Sequence, residues 1–262
     1  MQNAALQALG LAYIYTPFLV APADLAKAVH GIRALNLVGI NVTVPHKERI
    51  VRYLDTLSPE AELCGAVNTV VNKNGTLFGD NTDGRGFVAS LRERKLSPRR
   101  AEVVLIGAGG SARAVLVSLI QSDCTRIRIV NRTQSHARTL ARAYRSVGKT
   151  QLEVFPLDAL KDPHLFSDVS LVINSTSVGL HSDEFPPLAY TATQSSCLFY
   201  DLLYRPDQTP FLKQAAAARR PMVDGRRMLL HQGALAFSLW TGQPAPLSVM
   251  DRALQRSLRQ TP

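Results

Sequence analysis

The chain has 262 residues, 46% of them hydrophobic and 19% charged, which is the balance of a globular protein with room for two small domains. Its formal net charge of +10 favours anionic ligands, but no zinc spacing, recognition helix or aromatic-basic motif accompanies it, which argues against nucleic-acid binding.

The three cysteines are widely spaced and the histidines lack ligand spacing, so neither a disulfide framework nor a metal site is predicted. No apolar run is long enough to span a membrane, and no basic signal-peptide region begins the chain. We therefore expect a cytoplasmic location.

The first eighty residues alternate between the apolar patterns of strands and helices. In chain order, we predict a strand at 13–16, a helix at 23–35, a strand at 38–44, a helix at 46–54, and a hairpin of strands 66–71 and 77–80 turned at Asn74-Gly75. The tail is predicted to form helices at 228–240 and 247–258 and has no strands of its own. We therefore predict an α/β lobe made of residues 1–84 together with 229–262.

From Glu102 onward, short apolar runs alternate with amphipathic stretches, as parallel βαβ units require. The predicted strands are 103–106, 127–130, 154–155, 169–174, 198–201 and 222–223, and the predicted helices are 86–94, 111–121, 134–144 and 209–218. Residues 85–228 are thus expected to form a doubly wound Rossmann-type domain, which makes the chain an α/β protein of two lobes.

A glycine-rich loop directly follows the predicted strand at 103–106. It reads Gly107-Ala108-Gly109-Gly110-Ser111-Ala112 and has Gly107, Gly109 and Ala112 at the three positions of the dinucleotide-binding fingerprint. The pattern alone is weak, but its position between a buried strand and an alanine-rich helix makes it specific. A pyrophosphate can then lie on the free N–H groups at the positive end of the helix.

The end of the next strand distinguishes NAD from NADP. NAD sites usually carry a carboxylate there, which binds the ribose 2′-hydroxyl and repels a phosphate, whereas this chain has Asn131-Arg132-Thr133. Arg132 can pair with a 2′-phosphate, and Thr133 can donate a hydrogen bond to it. The sequence therefore predicts NADP as the cofactor. The alternative is that Arg132 is one of many surface arginines.

Two stretches ahead of the glycine loop carry an amine and a carboxylate. Lys47 follows Asn41-Val42-Thr43-Val44-Pro45 in the first turn of a predicted helix, and Asp83 lies within Asn81-Thr82-Asp83-Gly84. A lysine at the positive end of a helix is electrostatically misplaced as a structural residue, which favours a role in proton transfer. Together with NADP, this pair indicates redox chemistry on a small polar substrate.

These motifs resemble those of the shikimate dehydrogenase family. The resemblance covers nearly the whole chain and extends to Gly65-Ala66-Val67-Asn68-Thr69, Asn174-Ser175-Thr176-Ser177, Tyr200-Asp201-Leu202-Leu203-Tyr204 and Met228-Leu229-Leu230-His231-Gln232. It implies NADPH-dependent reduction of 3-dehydroshikimate to shikimate, in which a hydride leaves the nicotinamide and a proton reaches the developing alkoxide.

The resemblance also implies roles for individual residues. Lys47 would donate the proton and stabilise the alkoxide, and Asp83 would orient Lys47 and bind the substrate. The other implied substrate-binding residues are Thr43, Asn68, Tyr204 and Gln232. Thr176, Leu202 and Gly225 would contact the nicotinamide half of NADP, in addition to the glycine loop and residues 131–133.

One departure from the family leaves alternatives open. The family's first strand and its Ser-x-Ser-Pro substrate motif have no counterpart ahead of Met1-Gln2-Asn3, so weak substrate binding or no turnover is expected. The alternatives are a quinate/shikimate dehydrogenase that uses NAD, and a non-catalytic protein that binds a pathway metabolite or NADPH. We predict a small-molecule substrate, no nucleic-acid or membrane partner, and a homodimer as a possible assembly.

Overall fold

The structure, a computed structural model, describes residues 1–260 and the side chains of residues 1–258. Its helices are α1 (Gln2–Ala8), α2 (Leu25–Ala34), α3 (Pro59–Cys64), α4 (Asp83–Glu93), α5 (Gly110–Gln121), α6 (Gln134–Tyr144), α7 (Pro210–Ala217), α8 (Arg226–Thr241) and α9 (Leu247–Gln260). Its strands are β1 (Gly39–Asn41), β2 (Thr56–Leu57), β3 (Thr69–Lys73), β4 (Thr76–Asp80), β5 (Glu102–Ile106), β6 (Arg126–Asn131), β7 (Gln151–Pro156), β8 (Leu171–Asn174), β9 (Leu198–Asp201) and β10 (Met222–Val223). Short 3₁₀ helices lie at Pro22–Asp24, Arg49–Tyr53, Leu157–Lys161, Pro163–Phe166 and Tyr190–Ala192.

The chain folds into two compact units. The first contains residues 1–86 and the segment from Leu230 onward, and the second contains residues 87–229. By their bounds, α4 and α8 each contribute residues to both units.

The first unit is built on a four-stranded sheet in the order β1-β3-β4-β2. Strand β3 pairs antiparallel with β1 and β4, and β2 pairs parallel with β4. The predicted hairpin turn is present between β3 and β4, with positive φ at both Asn74 and Gly75. The core on the side of α2 consists of buried apolar side chains, among them Leu25, Val29, Ile32, Val70 and Leu77.

The second unit is built on a parallel six-stranded sheet in the order β10-β9-β8-β5-β6-β7. Numbered from its first strand, this is the 3-2-1-4-5-6 order of a doubly wound dinucleotide-binding sheet, as predicted from the sequence. The residues of β8 and β9 are buried throughout, which explains why these strands read as continuous apolar runs. Successive strands are added on one side of β5 up to β7 and on its other side from β8 onward, so ligand binding is expected at the carboxyl ends of β5 and β8.

The predicted strand at 13–16 is wrong. Among the strands of residues 1–260, none pairs with this segment, and the backbone of Tyr15 is bound by a side chain instead. Its N–H donates to Asn3 Oδ1 at 2.7 Å, and its carbonyl accepts from Asn3 Nδ2 at 2.8 Å. Alternating polarity indicates an extended chain, but a strand also needs a neighbouring backbone to complete the ladder.

The predicted helix at 46–54 is wrong in type, and the preceding strand is shorter than predicted. Residues 44–48 form a turn that includes the cis Val44–Pro45 peptide, and a 3₁₀ helix follows at Arg49–Tyr53. An α-helix does not form because the carbonyl of Lys47 accepts a hydrogen bond from Val67 N at 2.8 Å. Lys47 therefore does not lie in the first turn of an α-helix, contrary to the prediction.

Candidate active site

The predicted amine and carboxylate contact each other in the first unit. Lys47 Nζ donates to Asp83 Oδ2 at 2.7 Å, and the two side chains are 23% and 11% exposed. The turn that carries Lys47 is anchored by the fully buried side chain of Ile50. Asp83 is the first residue of α4, where the helix dipole favours a negative charge. The result is a charge-assisted hydrogen bond whose ammonium remains partly accessible.

Asn68 holds the other oxygen of Asp83. Its Nδ2 donates to Asp83 Oδ1 at 2.7 Å and to Thr82 Oγ1 at 3.0 Å. Its Oδ1 accepts from Thr82 N and from the Thr69 hydroxyl, both at 2.9 Å. Since Asn68 is 2% exposed and both ends of its amide are bonded, its NH₂ group must face Asp83. Each carboxylate oxygen of Asp83 therefore has a defined partner.

Two further predicted substrate residues lie in the same unit. Gln232 Oε1 accepts from Asn68 Nδ2 at 3.4 Å, which joins it to the polar cluster. Thr43 lies four residues before Lys47 with an exposed side chain, and its carbonyl accepts from His46 N at 2.9 Å. The structure thus brings together the side chains of Lys47, Asn68, Asp83 and Gln232. It shows no hydrogen bond from the Thr43 hydroxyl to any residue in its described part.

A second, fully buried carboxylate supports the turn that leads into α4. Asp80 Oδ1 accepts from the Ser58 hydroxyl at 2.5 Å and from Asn81 N at 2.7 Å, while its Oδ2 pairs with Arg85. Asn81 Oδ1 in turn accepts from Asp83 N at 3.1 Å. The backbone that presents Asp83 is therefore fixed by side chains on both sides.

The predicted cofactor residues lie at the carboxyl edge of the sheet in the second unit. The glycine loop follows β5, residues 131–133 end or follow β6, and Thr176, Leu202 and Gly225 follow β8, β9 and β10. These five strands are consecutive in the sheet. At about 4.8 Å between neighbouring strands, the row is roughly 19 Å long, which suits an extended dinucleotide.

Two glycines of the loop have no reason within the fold to be glycine. A Cβ on Gly109 or Gly110 would meet no atom within 4 Å, and neither residue has a positive φ. Gly107 differs, because its φ is 113° and a Cβ there would lie 2.5 Å from Ser175 Oγ. The N-cap of α5, Gly109, provides no side-chain bond to the first N–H groups of the helix. Uncapped N–H groups with space for a close approach fit the phosphates of a dinucleotide.

Arg132 and Thr133 lie at the N-terminal end of α6. Asn131 Nδ2 donates to Thr133 O at 2.8 Å and shapes this turn, while the N-cap Thr133 makes no side-chain capping bond. Arg132 is exposed, and its guanidinium forms no ion pair with any side chain that the structure describes. A cation without a partner beside an uncapped helix end fits a 2′-phosphate.

The remaining predicted residues also lie in the second unit. Thr176 donates to Asn174 Oδ1 through both its N–H, at 3.1 Å, and its hydroxyl, at 2.7 Å. Gly225 N donates to Leu203 O at 3.0 Å, and a Cβ on Gly225 would overlap the carbonyl of Leu202. Tyr204 is 37% exposed, and its hydroxyl forms no hydrogen bond with residues 1–258.

Sequence reasoning assigned no role to the residues behind the candidate site. Thr69, Thr82 and Asp80 were not singled out, although the first two lie within motifs that carried the resemblance. The contributions of Thr82 and Asp80 depend on hydrogen bonds with Asn68 and Ser58, which lie in other segments of the chain. Membership of a motif was the one signal that could have indicated them.

Neither a metal centre nor a membrane-spanning helix is found in the described part of the chain. No group of three or more His, Cys, Asp or Glu side chains in residues 1–258 is arranged to hold a metal ion. Every helix within residues 1–260 is too short or too polar to cross a membrane.

Three protein-family models match separate parts of the chain. The shikimate dehydrogenase substrate binding domain matches residues 1–70, shikimate / quinate 5-dehydrogenase matches 90–202, and the shikimate 5′-dehydrogenase C-terminal domain matches 225–255. A curated relative, shikimate dehydrogenase (NADP(+)) of Desulforamulus reducens, is 43% identical over 261 residues, which are 98% of this chain and 90% of that protein.

Solved structures share the fold over nearly the full length. Shikimate 5-dehydrogenase from Listeria monocytogenes, in complex with shikimate and NAD, matches with a TM-score of 0.91 and 32% identity over 96% of this chain and 89% of that chain. The shikimate 5-dehydrogenase of Thermus thermophilus, in complex with NADP(H) and shikimate, matches with a TM-score of 0.86 and 35% identity over 98% and 92%. The α/β fold predicted from the sequence is thereby confirmed.

Proposed function

This chain belongs to the shikimate dehydrogenase family, and on that premise we propose that it catalyses the reversible NADPH-dependent reduction of 3-dehydroshikimate to shikimate, a step of aromatic amino-acid biosynthesis. The observation that carries the proposal is the hydrogen bond of 2.7 Å between Lys47 Nζ and Asp83 Oδ2. A partly accessible ammonium held by a carboxylate is suited to give a proton to an oxygen that becomes negatively charged.

Bound NADPH would supply the hydride for the ring ketone, and residues of this chain act on the ketone oxygen. Lys47 stabilises the developing negative charge and donates the proton. Asp83 keeps Nζ in place through Oδ2, and its lone pairs that Lys47 and Asn68 leave open can accept a substrate hydroxyl. The other hydroxyls and the carboxylate of the substrate are assigned to binding by polar groups of four residues, Thr43, Asn68, Tyr204 and Gln232.

We assign substrate binding to residues 1–84 with 229–262, and NADP binding to residues 85–228. The first assignment is supported by the substrate-binding-domain model that matches residues 1–70, and the second by the glycine loop and Arg132 at one edge of a doubly wound sheet. A cytoplasmic location and a homodimer belong to the same proposal. Cell fractionation tests the first, and sedimentation equilibrium tests the second.

The decisive experiment replaces Lys47 by Ala and follows NADP⁺ reduction with shikimate. We expect kcat to fall on the order of 10²- to 10⁴-fold with a much smaller change in KM, because a proton donor acts in the transition state. Lys27→Ala is the matched control, since the Lys27 side chain is 85% exposed and forms an ion pair with Asp24 three residues away. A large loss of substrate binding with unchanged kcat would contradict the role of Lys47. Absence of turnover in the wild-type chain, with NADP⁺ still bound, would support the non-catalytic alternative.

A second candidate function is that of a quinate/shikimate dehydrogenase that uses NAD. The observation in its favour is that the similar Listeria monocytogenes structure is a complex with NAD. Arg132→Ala tests it, with Arg145→Ala at the other end of α6 as the control. If Arg132 binds a 2′-phosphate, its loss should raise the KM for NADP⁺ roughly 10- to 100-fold and leave the KM for NAD⁺ nearly unchanged. Equal use of both nicotinamides by the wild type would favour the second function.

A further inference from the structure

Asp201 is a carboxylate buried without a counter-charge at the end of β9. It has no exposed surface, and neither has Asn174 at the end of the neighbouring strand β8. Asp201 Oδ1 accepts from Asn174 Nδ2 at 2.9 Å and from Leu203 N at 3.0 Å, and its Oδ2 accepts from the Thr209 hydroxyl at 2.6 Å. All three donors are neutral, so no cation among the described residues offsets the burial of this acid.

This arrangement is costly for the fold. Burial raises the pKa of Asp201 to about 6, although its three hydrogen bonds lower it, and the Asp224 carboxylate raises it further. The buried Tyr190 also faces Asp201. Stability alone would favour a neutral side chain at this position. A carboxylate, however, can accept from three donors without donating, which an asparagine cannot do.

The hydrogen bonds continue from Asp201 into three consecutive loops. Asn174 Oδ1 accepts from both the N–H and the hydroxyl of Thr176, in the loop after β8. Leu203, whose N–H is held by Asp201, accepts from Gly225 N through its carbonyl, which reaches the loop after β10. One carboxylate therefore connects the loops that carry the residues assigned to the nicotinamide half of NADP.

We propose that Asp201 is a positioning residue for the nicotinamide end of NADP, acting through Asn174, Thr209 and the backbone of Leu203. The proposal rests on the proposed function and adds a residue to it. The carboxylate keeps the loops after β8 and β9 at a fixed spacing, so that cofactor binding requires little further ordering. Arg205 ties the same loops farther out, through Gly179 O and Asp207 Oδ1, both at 3.1 Å.

The test compares Asp201→Asn, Thr209→Val and Thr209→Ser by NADP⁺ affinity and by kinetic constants. Asparagine keeps the shape and removes the buried charge, so the variant should fold, but its NH₂ group must face one of the three donors. We expect a Kd for NADP⁺ weaker by about 10-fold or more and a kcat lower by a similar factor, with little change in the KM for shikimate. In Thr209→Val the Kd for NADP⁺ should also rise and kcat should also fall, whereas Thr209→Ser should keep the wild-type values of both.

Thr150→Val is the matched control for the loss of a buried hydroxyl. Thr150 lies just before β7, and its hydroxyl donates to Cys124 O at 2.7 Å. This variant should lose stability without any change in the Kd for NADP⁺. The proposal would be overturned if Asp201→Asn had the same Kd for NADP⁺ and the same kcat as the wild type. It would also be overturned if Thr150→Val lost as much affinity for NADP⁺ as Asp201→Asn. If Asp201→Asn does not fold, the Kd for NADP⁺ and the kcat of Thr209→Val test the proposal by the same criteria.

The pH dependence of NADP⁺ binding separates a positioning role of Asp201 from a purely structural one. The ratio of the Kd values of Asp201→Asn and the wild type should be largest above pH 7 and should narrow as the pH falls through about 6, where Asp201 takes up a proton. The cofactor's phosphate titrates in the same range, but it affects both proteins and leaves the ratio unchanged. A constant ratio would count against the proposal. Since Kd reports binding alone, a wild type that binds NADP⁺ without turnover would refute the proposed function and still test this inference.

Discussion

Asn68 can orient Asp83 only because its own amide cannot rotate. The hydroxyl of Thr82 accepts from Asn68 Nδ2 at 3.0 Å and lies 3.2 Å from Asn68 Oδ1, and Thr82 has no exposed surface. Rotation of the amide by half a turn would place its NH₂ group against the Thr82 N–H and its oxygen against a carboxylate. The orientation of Asp83, and through it that of Lys47, therefore depends on Thr82, to which no substrate contact is assigned.

Replacing Thr82 by Val should separate this positioning role from simple packing. The side chain keeps its shape, but the buried amide of Asn68 loses a partner, so we expect a loss of roughly 1–3 kcal/mol in unfolding free energy. We also expect kcat to fall by about 10-fold with little change in the affinity for NADP⁺, because Thr82 lies in the first unit. Urea unfolding and steady-state kinetics measure the two effects. Thr82→Ser should restore kcat, and an unaltered kcat in a destabilised Thr82→Val protein would show that packing alone is involved.

At this scale, the sequence predicted the charged pair but not its supports. Lys47 and Asp83 could be singled out because an amine and an acid in specific motifs ahead of a nucleotide loop point to chemistry. Thr69 and Thr82 could not, because a threonine hydroxyl has no fixed role until its partner is known. That partner, Asn68, is supplied by a different stretch of the chain from Thr82, and such contacts are visible only in the folded molecule.

The element that follows β5 shows how a loop can be shaped by a ligand as well as by the fold. Gly107 is required by its positive φ and by the closeness of Ser175, whereas Gly109 is required by neither conformation nor packing. An added methyl group at Gly109 would occupy space in front of the α5 N-terminus, where a phosphate would lie.

Gly109→Ala should therefore weaken cofactor binding while leaving the fold nearly intact. We expect the Kd for NADP⁺ to rise by at least about 10-fold, with a change in unfolding free energy below about 1 kcal/mol. Gly31→Ala is the matched control, because Gly31 lies inside α2 and a Cβ there would also meet no atom within 4 Å. In this control the free energy of unfolding should rise by roughly 0.5–1 kcal/mol, and NADP⁺ should bind as in the wild type. Titration calorimetry and urea unfolding provide both values, and unchanged binding by Gly109→Ala would mean that the loop does not approach a phosphate.

The elements predicted correctly and incorrectly differ in how much they depend on distant partners. Strands β5, β8 and β9 were predictable because a strand buried on both faces reads as a largely continuous apolar run. The strand expected at 13–16 and the helix expected at 46–54 failed for one reason. In each case a distant group, Asn3 or Val67, takes the backbone hydrogen bonds that the regular element would use.

For the molecule as a whole, the stability at different pH values should reflect the buried acid in the second unit. Two other aspartates act in the opposite direction, because hydrogen bonds lower their pKa values. The largest cause is the backbone N–H of Leu77 for Asp55 and the side chain of Lys213 for Asp207. Their stabilising effect is complete above the ordinary pKa of 3.8 and hence constant from pH 4.5 to 7.5. The contribution of Asp201 to the free energy of unfolding, in contrast, should change in that range.

The sign of this change follows from the raised pKa of Asp201, about 6 in the folded chain against 3.8 for an exposed aspartate. Between these values the folded state holds a proton that the unfolded state has released, so the contribution of Asp201 to stability falls as the pH rises through 6. Above pH 7 the buried charge should cost on the order of 3 kcal/mol. The unfolding free energy of the wild type, measured in urea relative to Asp201→Asn, should therefore be lower at pH 7.5 than at pH 4.5 by roughly 2 kcal/mol. An equal difference between the two proteins at both pH values would show that Asp201 does not titrate in this range in the folded chain.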